Sequence, residues 1–267
     1  MRMLIIGSTG MAGHMLAKYF PEADTLNRAS GFDAAQTENV KDYFNNLATR
    51  YDYIVNCVGV LVQASANDPV EAIKINSIFP RTLEEIFEDT PTKIIHISTD
   101  CVFSGTRGGY TELCATDEKG IYGETKALGE IDNDKDITIR TSIIGPEIVE
   151  RKNPGLLQWY LSNDYGTVEG WQNAYWNGIT TLQLAKVIEA IMQKPEASGI
   201  YNVHSPESYS KYRVLKAIEK VYDTGRVIES VLKNPPVNKT LYSLRERILE
   251  IPSLEIQLQE LYDYCQK

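Results

Sequence analysis

The chain has 267 residues, 43% of them hydrophobic and 24% charged, with a net charge of −9 and an isoelectric point near 5.0. That length buries a sizeable core, while the acidity excludes the basic footprint of a nucleic-acid binder but not a local anion site. No apolar run reaches the ~18 residues of a membrane span, and four cysteines without C-x-x-C spacing (Cys57, Cys101, Cys114, Cys265) suit reduced thiols in a cytoplasm, with no metal.

Residues 2–7 (RMLIIG) predict a buried strand ending in a glycine turn, too early for a secretory leader, and 11–20 predict the helix after it. Strand 23–28 follows. The apolar stripe of Val40, Tyr43, Phe44 and Leu47 predicts a helix over 37–48, and 51–58 is the next strand. A long helical stretch, 67–89, opens on Asn67/Asp68 and Pro69, with a break expected at Pro80. Strand 93–99, a helix from Tyr122 and strand 137–145 complete an alternation that implies a parallel sheet covered on both faces. Beyond it the pattern reads as helix, extended segments, helix 180–194, strand 199–205 and helix 211–222. The expected fold is α/β: a doubly wound parallel sheet of Rossmann type over 1–150, with segments near 179–204 returning to it. Residues 151–267 are expected to form mainly a smaller substrate lobe.

Between the first strand and helix lies "GSTGMAG" (7–13), Gly-x-x-Gly-x-x-Gly. Gly7 permits a tight turn, Gly10 lets backbone approach a pyrophosphate, and Gly13 lets the helix pack on the strand. The position that reads the adenosine ribose, about 20 residues after the first glycine, holds Asn27 followed by Arg28. An acidic residue there would repel a 2′-phosphate; Asn-Arg does not, which favours NADP over NAD.

Tyr122 and Lys126 in "IYGETKALGE" share a helix face. Upstream, "KIIHIST" ends in Ser98 and Thr99 at the sheet's carboxyl edge, where ligands of such sheets bind. This set suits carbonyl reduction, with Tyr122 giving a proton, Thr99 holding the oxygen, and the Lys126 ammonium expected to lower the phenol's pKa from ~10. A second pair, Tyr212 and Lys216, lacks a hydroxyl-tipped strand upstream and looks like packing. His14, His96 and His204 show no triad or metal spacing and are assigned no chemistry.

The stretches "GSTGMAG", "IVNCVG", "AIKINSIFP", "ISTDCVFSG", "YGETKALGE" and "IRTSIIG" together resemble the extended short-chain dehydrogenase/reductases, and most closely the dTDP-4-dehydrorhamnose reductase family. The resemblance implies an NADPH-dependent reductase of a nucleotide-linked 4-ketosugar in polysaccharide biosynthesis, with Thr99, Tyr122 and Lys126 as the catalytic group. It implies cofactor contacts from Gly7, Thr9, Gly10, Met11, Gly13, Asn27, Arg28, Asp33, Gly59 and Ser98, together with Tyr122 and Lys126. Asp100, Cys101, Ile143 and Arg245 would line the substrate side, and Arg151, Lys152 and Arg247 are further cations for a pyrophosphate. Trp171, Tyr175 and Trp176 are candidates to stack a base. Family members usually carry an aromatic where Cys101 stands and often a Trp where Ile143 stands, which extends the substrate range to UDP-linked, N-acetylated 4-ketosugars. An epimerase or dehydratase of the superfamily, and a non-catalytic subunit resembling the regulatory partner of methionine adenosyltransferase, are the competing readings. A homodimer is compatible with the resemblance.

Overall fold

The computed structural model describes residues 1–150, 153–163 and 166–266. In chain order the first part runs β1 (Met3–Ile6), α1 (Met11–Tyr19), β2 (Asp24–Leu26), α2 (Thr37–Asn45) and β3 (Tyr53–Asn56). It continues through α3 (Val62–Asn67), α4 (Pro69–Ala72), α5 (Phe79–Phe87), β4 (Lys93–Ile97), α6 (Ile121–Leu128) and β5 (Ile137–Arg140). Every residue of β1, β3 and β5 is buried, as strands covered on both faces require.

The second part contains β6 (Ile143–Ile144), α7 (Leu156–Ser162), β7 (Thr167–Trp171), β8 (Ala174–Trp176), β9 (Ile179–Thr180) and α8 (Thr181–Met192). Then come β10 (Gly199–Asn202), β11 (Tyr209–Ser210), α9 (Lys211–Tyr222), β12 (Val227–Val231), β13 (Val237–Asn238) and α10 (Leu254–Cys265).

Six strands form one parallel sheet in the order β10-β5-β4-β3-β1-β2. The doubly wound expectation is met. Because the chain leaves β1 toward β2 on one side and returns to β3 on the other, the crevice at the carboxyl ends opens beside β1. One core packs Ile5, Val55, Ile95 and Ile139 under α1 and α8; the other packs Ile6, Ile54 and Ile94 against α2 and α5. A third core gathers Tyr160, Trp176, Tyr209, Ile218, Leu254, Leu258 and Leu261 among the later elements.

The helical stretch breaks earlier than Pro80. Asp68 caps α4 by accepting the Glu71 N–H at 3.0 Å, and Ile73–Ile78 widens into a π-helical turn before α5 begins with Pro80 in its first turn. Pro80 has no N–H for the Asn76 carbonyl, so the helix is already displaced on its approach. Gly129 packs into this place, where a Cβ would stand 1.9 Å from the Asn76 oxygen.

Helix α10 carried no expectation. It wedges against α8 and α9 and clasps α1: Lys18 Nζ donates to the Tyr264 carbonyl at 3.0 Å, and the Tyr264 hydroxyl donates to the Lys18 carbonyl at 3.1 Å. Among the described residues no helix is long and apolar enough to cross a membrane, and all four cysteines are free.

Candidate active site

The turn after β1 requires glycine at two positions. Gly7 sits at φ +86°, and a Cβ there would crowd the Cys57 and Val58 backbone at 3.1 Å. At Gly13 a Cβ would lie 2.1 Å from the Gly7 carbonyl oxygen, so the first turn of α1 fits the strand only as glycine. No side chain caps α1 at Gly10, which leaves the N–H groups of its first turn facing the crevice; Thr9 is exposed and Met11 half-buried beside them. Uncapped donors at a helix N-terminus, in a turn that excludes a Cβ at Gly7 and Gly13, fit the pyrophosphate of a dinucleotide.

Just after β2, Asn27 is committed to the fold. Its Oδ1 accepts the Ala29 and Ser30 N–H groups at 2.9 and 3.3 Å, and its Nδ2 donates to Ser8 Oγ at 2.9 Å. The expectation that its side chain reads a ribose is therefore corrected: the amide oxygen already serves the 28–30 turn, and the amide nitrogen holds Ser8. The exposed Arg28 points outward, donating to Glu71 at 2.9 Å with Asp33 3.9 Å away. Asp33 lines a surface cleft of about 440 Å³ with Phe32, Val40 and Tyr43, and Gly59 is exposed just beyond β3.

Thr99, Asp100, Cys101 and Tyr122 meet at the carboxyl end of β4. The Thr99 hydroxyl accepts the Cys101 N–H at 3.1 Å and donates to Asp100 Oδ1 at 3.2 Å. Burial holds the Tyr122 phenol above its ordinary value; the Cys101 and Asp100 charges add to this, and a hydrogen bond with Thr99 opposes it. Burial also raises Asp100, against the pull of Lys211 and Lys239, and pushes the Cys101 thiol up to about 12. Lys126 is buried, and desolvation lowers it to about 8 against the pull of Glu130 and Cys57. Its Nζ donates to the Ile97 carbonyl at 2.7 Å and lies 3.4 Å from His96 Nε2. The expected lowering of the phenol by this ammonium is thus reversed: desolvation of the phenol, with Cys101 and Asp100, raises it, while the ammonium is turned to the Ile97 carbonyl.

Ser98 faces inward. Its hydroxyl donates to Glu130 Oε1 at 2.7 Å, and Arg140 grips the same carboxylate at 2.8 and 2.6 Å, with all three side chains buried. Its expected contact with a cofactor is corrected accordingly: the hydroxyl is spent on a buried ion pair. His96, assigned no chemistry from the sequence, is fully buried between Asn56 and Lys126. Its flag was local: a histidine inside a buried strand two residues before the Ser-Thr tip.

From the later elements, Lys211 and Lys239 bring their charges to Asp100 and Cys101, with Lys211 over the Trp176 ring at 5.2 Å and Lys239 donating to Glu118 at 2.9 Å. Lys233 lies over the Trp171 ring at 4.5 Å, and Tyr175 is exposed. Neither Lys211 nor Lys239 was singled out by spacing; they come from α9 and from the strand-like return after β13. Arg245 is a correction: it is exposed, stacks over Tyr201 and donates to the Ser198 carbonyl, at the amino end of β10, the opposite edge from Thr99. Arg247 pairs with Glu250 on the surface, and Arg151 and Lys152 lie outside the described residues. Ile143 is half-buried and packs on the sheet core. Tyr212 packs into the third core and Lys216 is exposed, as structural residues would be.

Similarity to known proteins follows the same lines. The chain is 22% identical over 259 residues to methionine adenosyltransferase 2 subunit beta of Xenopus tropicalis, covering 90% of this chain and 77% of that one. It is 26% identical over 221 residues to the dTDP-4-dehydrorhamnose reductase of Salmonella typhimurium, covering 76% and 72%. Its fold superimposes on the Bacillus anthracis dTDP-4-dehydrorhamnose reductase solved in complex with NADP, with a TM-score of 0.82, 21% identity and 98% of each chain covered. The model of the RmlD substrate binding domain matches residues 1–240, and the chain belongs to that family.

Proposed function

We propose that this protein is an NADPH-dependent reductase acting on the 4-keto group of a nucleotide-linked hexose. The observation that carries the reading is the gathering of Thr99, Tyr122 and Lys126 at the carboxyl end of β4, in the sheet whose β1 turn forms the phosphate cradle. The relatives named as dTDP-4-dehydrorhamnose reductases, and the NADP held by one of them, support it. Cys101 and Ile143 offer a sugar less ring surface than aromatics would, which supports a substrate range that includes UDP-linked, N-acetylated 4-ketohexoses.

NADPH supplies the hydride. Tyr122, kept protonated by its raised pKa, gives its proton to the carbonyl oxygen as that oxygen gains charge, and the Thr99 hydroxyl supports the same oxygen. Lys126 is held to β4 through the Ile97 carbonyl, which fixes its ammonium at the carboxyl end of that strand. Lys211 and Lys239 provide the positive charge on the substrate side.

The test is NADPH oxidation, followed at 340 nm, with a panel of enzymatically prepared dTDP- and UDP-4-ketosugars. Turnover with one of them that Tyr122→Phe abolishes supports the reading; tight NADPH binding with no turnover across the panel overturns it. That second outcome favours a binding subunit without turnover, a reading that rests on the likeness to the methionine adenosyltransferase beta subunit over 90% of the chain.

A further inference from the structure

Behind the Thr99–Tyr122 pocket runs a buried chain of three side chains from three elements: Asn56 at the end of β3, His96 on β4 and Lys126 on α6. Asn56 and His96 are fully buried and Lys126 is 3% exposed, so each hydrogen bond between them is formed away from water. The parallel register sets Asn56 directly beside His96.

The donors and acceptors in this chain leave one arrangement. The Val58 N–H can only donate, and it points at Asn56 Oδ1 at 3.0 Å, which fixes the orientation of the amide. The Asn56 NH₂ group therefore faces His96 Nδ1 at 3.1 Å, and since it too can only donate, Nδ1 must be the bare, accepting nitrogen. A neutral imidazole with a bare Nδ1 carries its hydrogen on Nε2, and Nε2 is the atom 3.4 Å from Lys126 Nζ. An N–H therefore confronts an ammonium that has only donors to offer. A neutral amine has a lone pair that accepts that N–H.

We infer that Asn56 and His96 form a fixed-tautomer pair that sets the protonation state of Lys126, making His96 a positioning residue for the site. Of the surrounding groups, Glu130 and Cys57 pull Lys126 toward its charged form, and desolvation outweighs them. From β3 the Cys57 thiol faces Lys126, from the turn after α6 comes Glu130, whose charge is held by Arg140, and Arg81 of α5 bears on His96. Burial, Lys126 and Arg81 all keep the His96 ring neutral, so the ring acts through its tautomer and never by taking a second proton. Lys126 is left as a lysine that exchanges its proton close to neutral pH.

The inference concerns the protein without ligand; its link to turnover rests on the reductase reading. The first measurement needs no activity. Protein labelled with ¹⁵N-histidine has three rings to resolve, and long-range ¹H–¹⁵N correlations report the tautomer of each. The expected result is a neutral Nε2–H ring at His96 from about pH 5 to pH 9. An Nδ1–H ring, or a ring that titrates in that range, overturns the inference.

The second measurement follows the Cε resonance of Lys126 against pH in wild type, Asn56→Leu and Asn56→Asp. Leucine frees the ring to turn its bare nitrogen to the ammonium, and aspartate, which only accepts, forces it to. Both variants are expected to move the Lys126 midpoint up by about one unit or more. The uncharged leucine variant separates this effect from the charge of aspartate, and aspartate serves if leucine does not fold. A midpoint unmoved in whichever variants fold overturns the inference. In an active enzyme the same variants shift the Lys126 arm of the pH–rate profile upward, whereas a merely structural role lowers the rate and leaves the profile in place. Inactive protein with a shifted midpoint overturns the reductase reading alone.

Discussion

The Arg28 guanidinium is shared between two carboxylates, donating to Glu71 at 2.9 Å and standing 3.9 Å from Asp33. A 2′-phosphate arriving there competes with Glu71 for the same fork. Glu71→Gln is expected to tighten NADPH about fivefold, the scale of one exposed ion pair, and to leave NADH unchanged. Arg28→Ala should weaken NADPH roughly tenfold or more, since a charge-assisted hydrogen bond is lost. Fluorescence titration of both nucleotides on both variants checks the pair of outcomes.

Removing the phenolic proton leaves the pocket's shape intact. Tyr122→Phe is expected to lower kcat by about 10²–10⁴, the usual contribution of a positioned acid. KM and melting temperature should stay near wild type. A KM that rises while kcat holds would mean that the hydroxyl binds substrate and transfers no proton.

Gly13→Ala puts a methyl 2.1 Å from the Gly7 carbonyl. Overpacking of this kind costs about 1–3 kcal/mol, and relief requires the turn to open. Urea unfolding should register the cost, and NADPH titration should show binding lost out of proportion to stability, because the displaced atoms are the cradle itself.

Arg140→Met leaves Glu130 buried without its partner, and such a loss typically costs about 3–5 kcal/mol. The double variant with Glu130→Gln should recover much of that, because the stranded charge is gone. Chemical denaturation of the two single variants and the double variant closes the cycle.

Lys126 carries its own pH signature. Its folded value is depressed to about 8 from 10.5, so between those values the unfolded chain binds more protons and stability rises with pH. Below about pH 8 the native state bears the full cost of the buried ammonium, on the order of 3 kcal/mol. Lys126→Met should therefore gain stability over wild type at pH 7, and the gain should shrink toward zero as pH approaches the ordinary lysine value. Unfolding free energies at several pH values test the sign.

The central sheet was legible because its strands are short apolar runs punctuated by glycine turns, and the glycine loop was legible because Gly7, Gly10 and Gly13 fall within one seven-residue stretch. Thr99, Tyr122 and Lys126 fell within one βα unit. His96 was not legible: its partners lie 40 and 30 residues away, and only the register of β3 on β4 brings Asn56 beside it. Lys211 and Lys239 come from separate later elements and look in sequence like any solvated lysine. Ser98 and Asn27 were misread for a related reason, since nothing local reveals that Glu130 or the 28–30 turn claims their side chains. Helix α10 is signalled in the sequence by Leu254, Leu258 and Leu261, at helical spacing.

The reciprocal grip of Lys18 and Tyr264 joins residues 246 positions apart. On a ribosome adding roughly 5–20 residues per second, the earlier half of that grip waits about 12–50 seconds for the later. During that interval α1 is without this brace, and a nascent chain halted before Leu254 has nothing to supply it. Helix α1 therefore gains this brace only after α10 has been made.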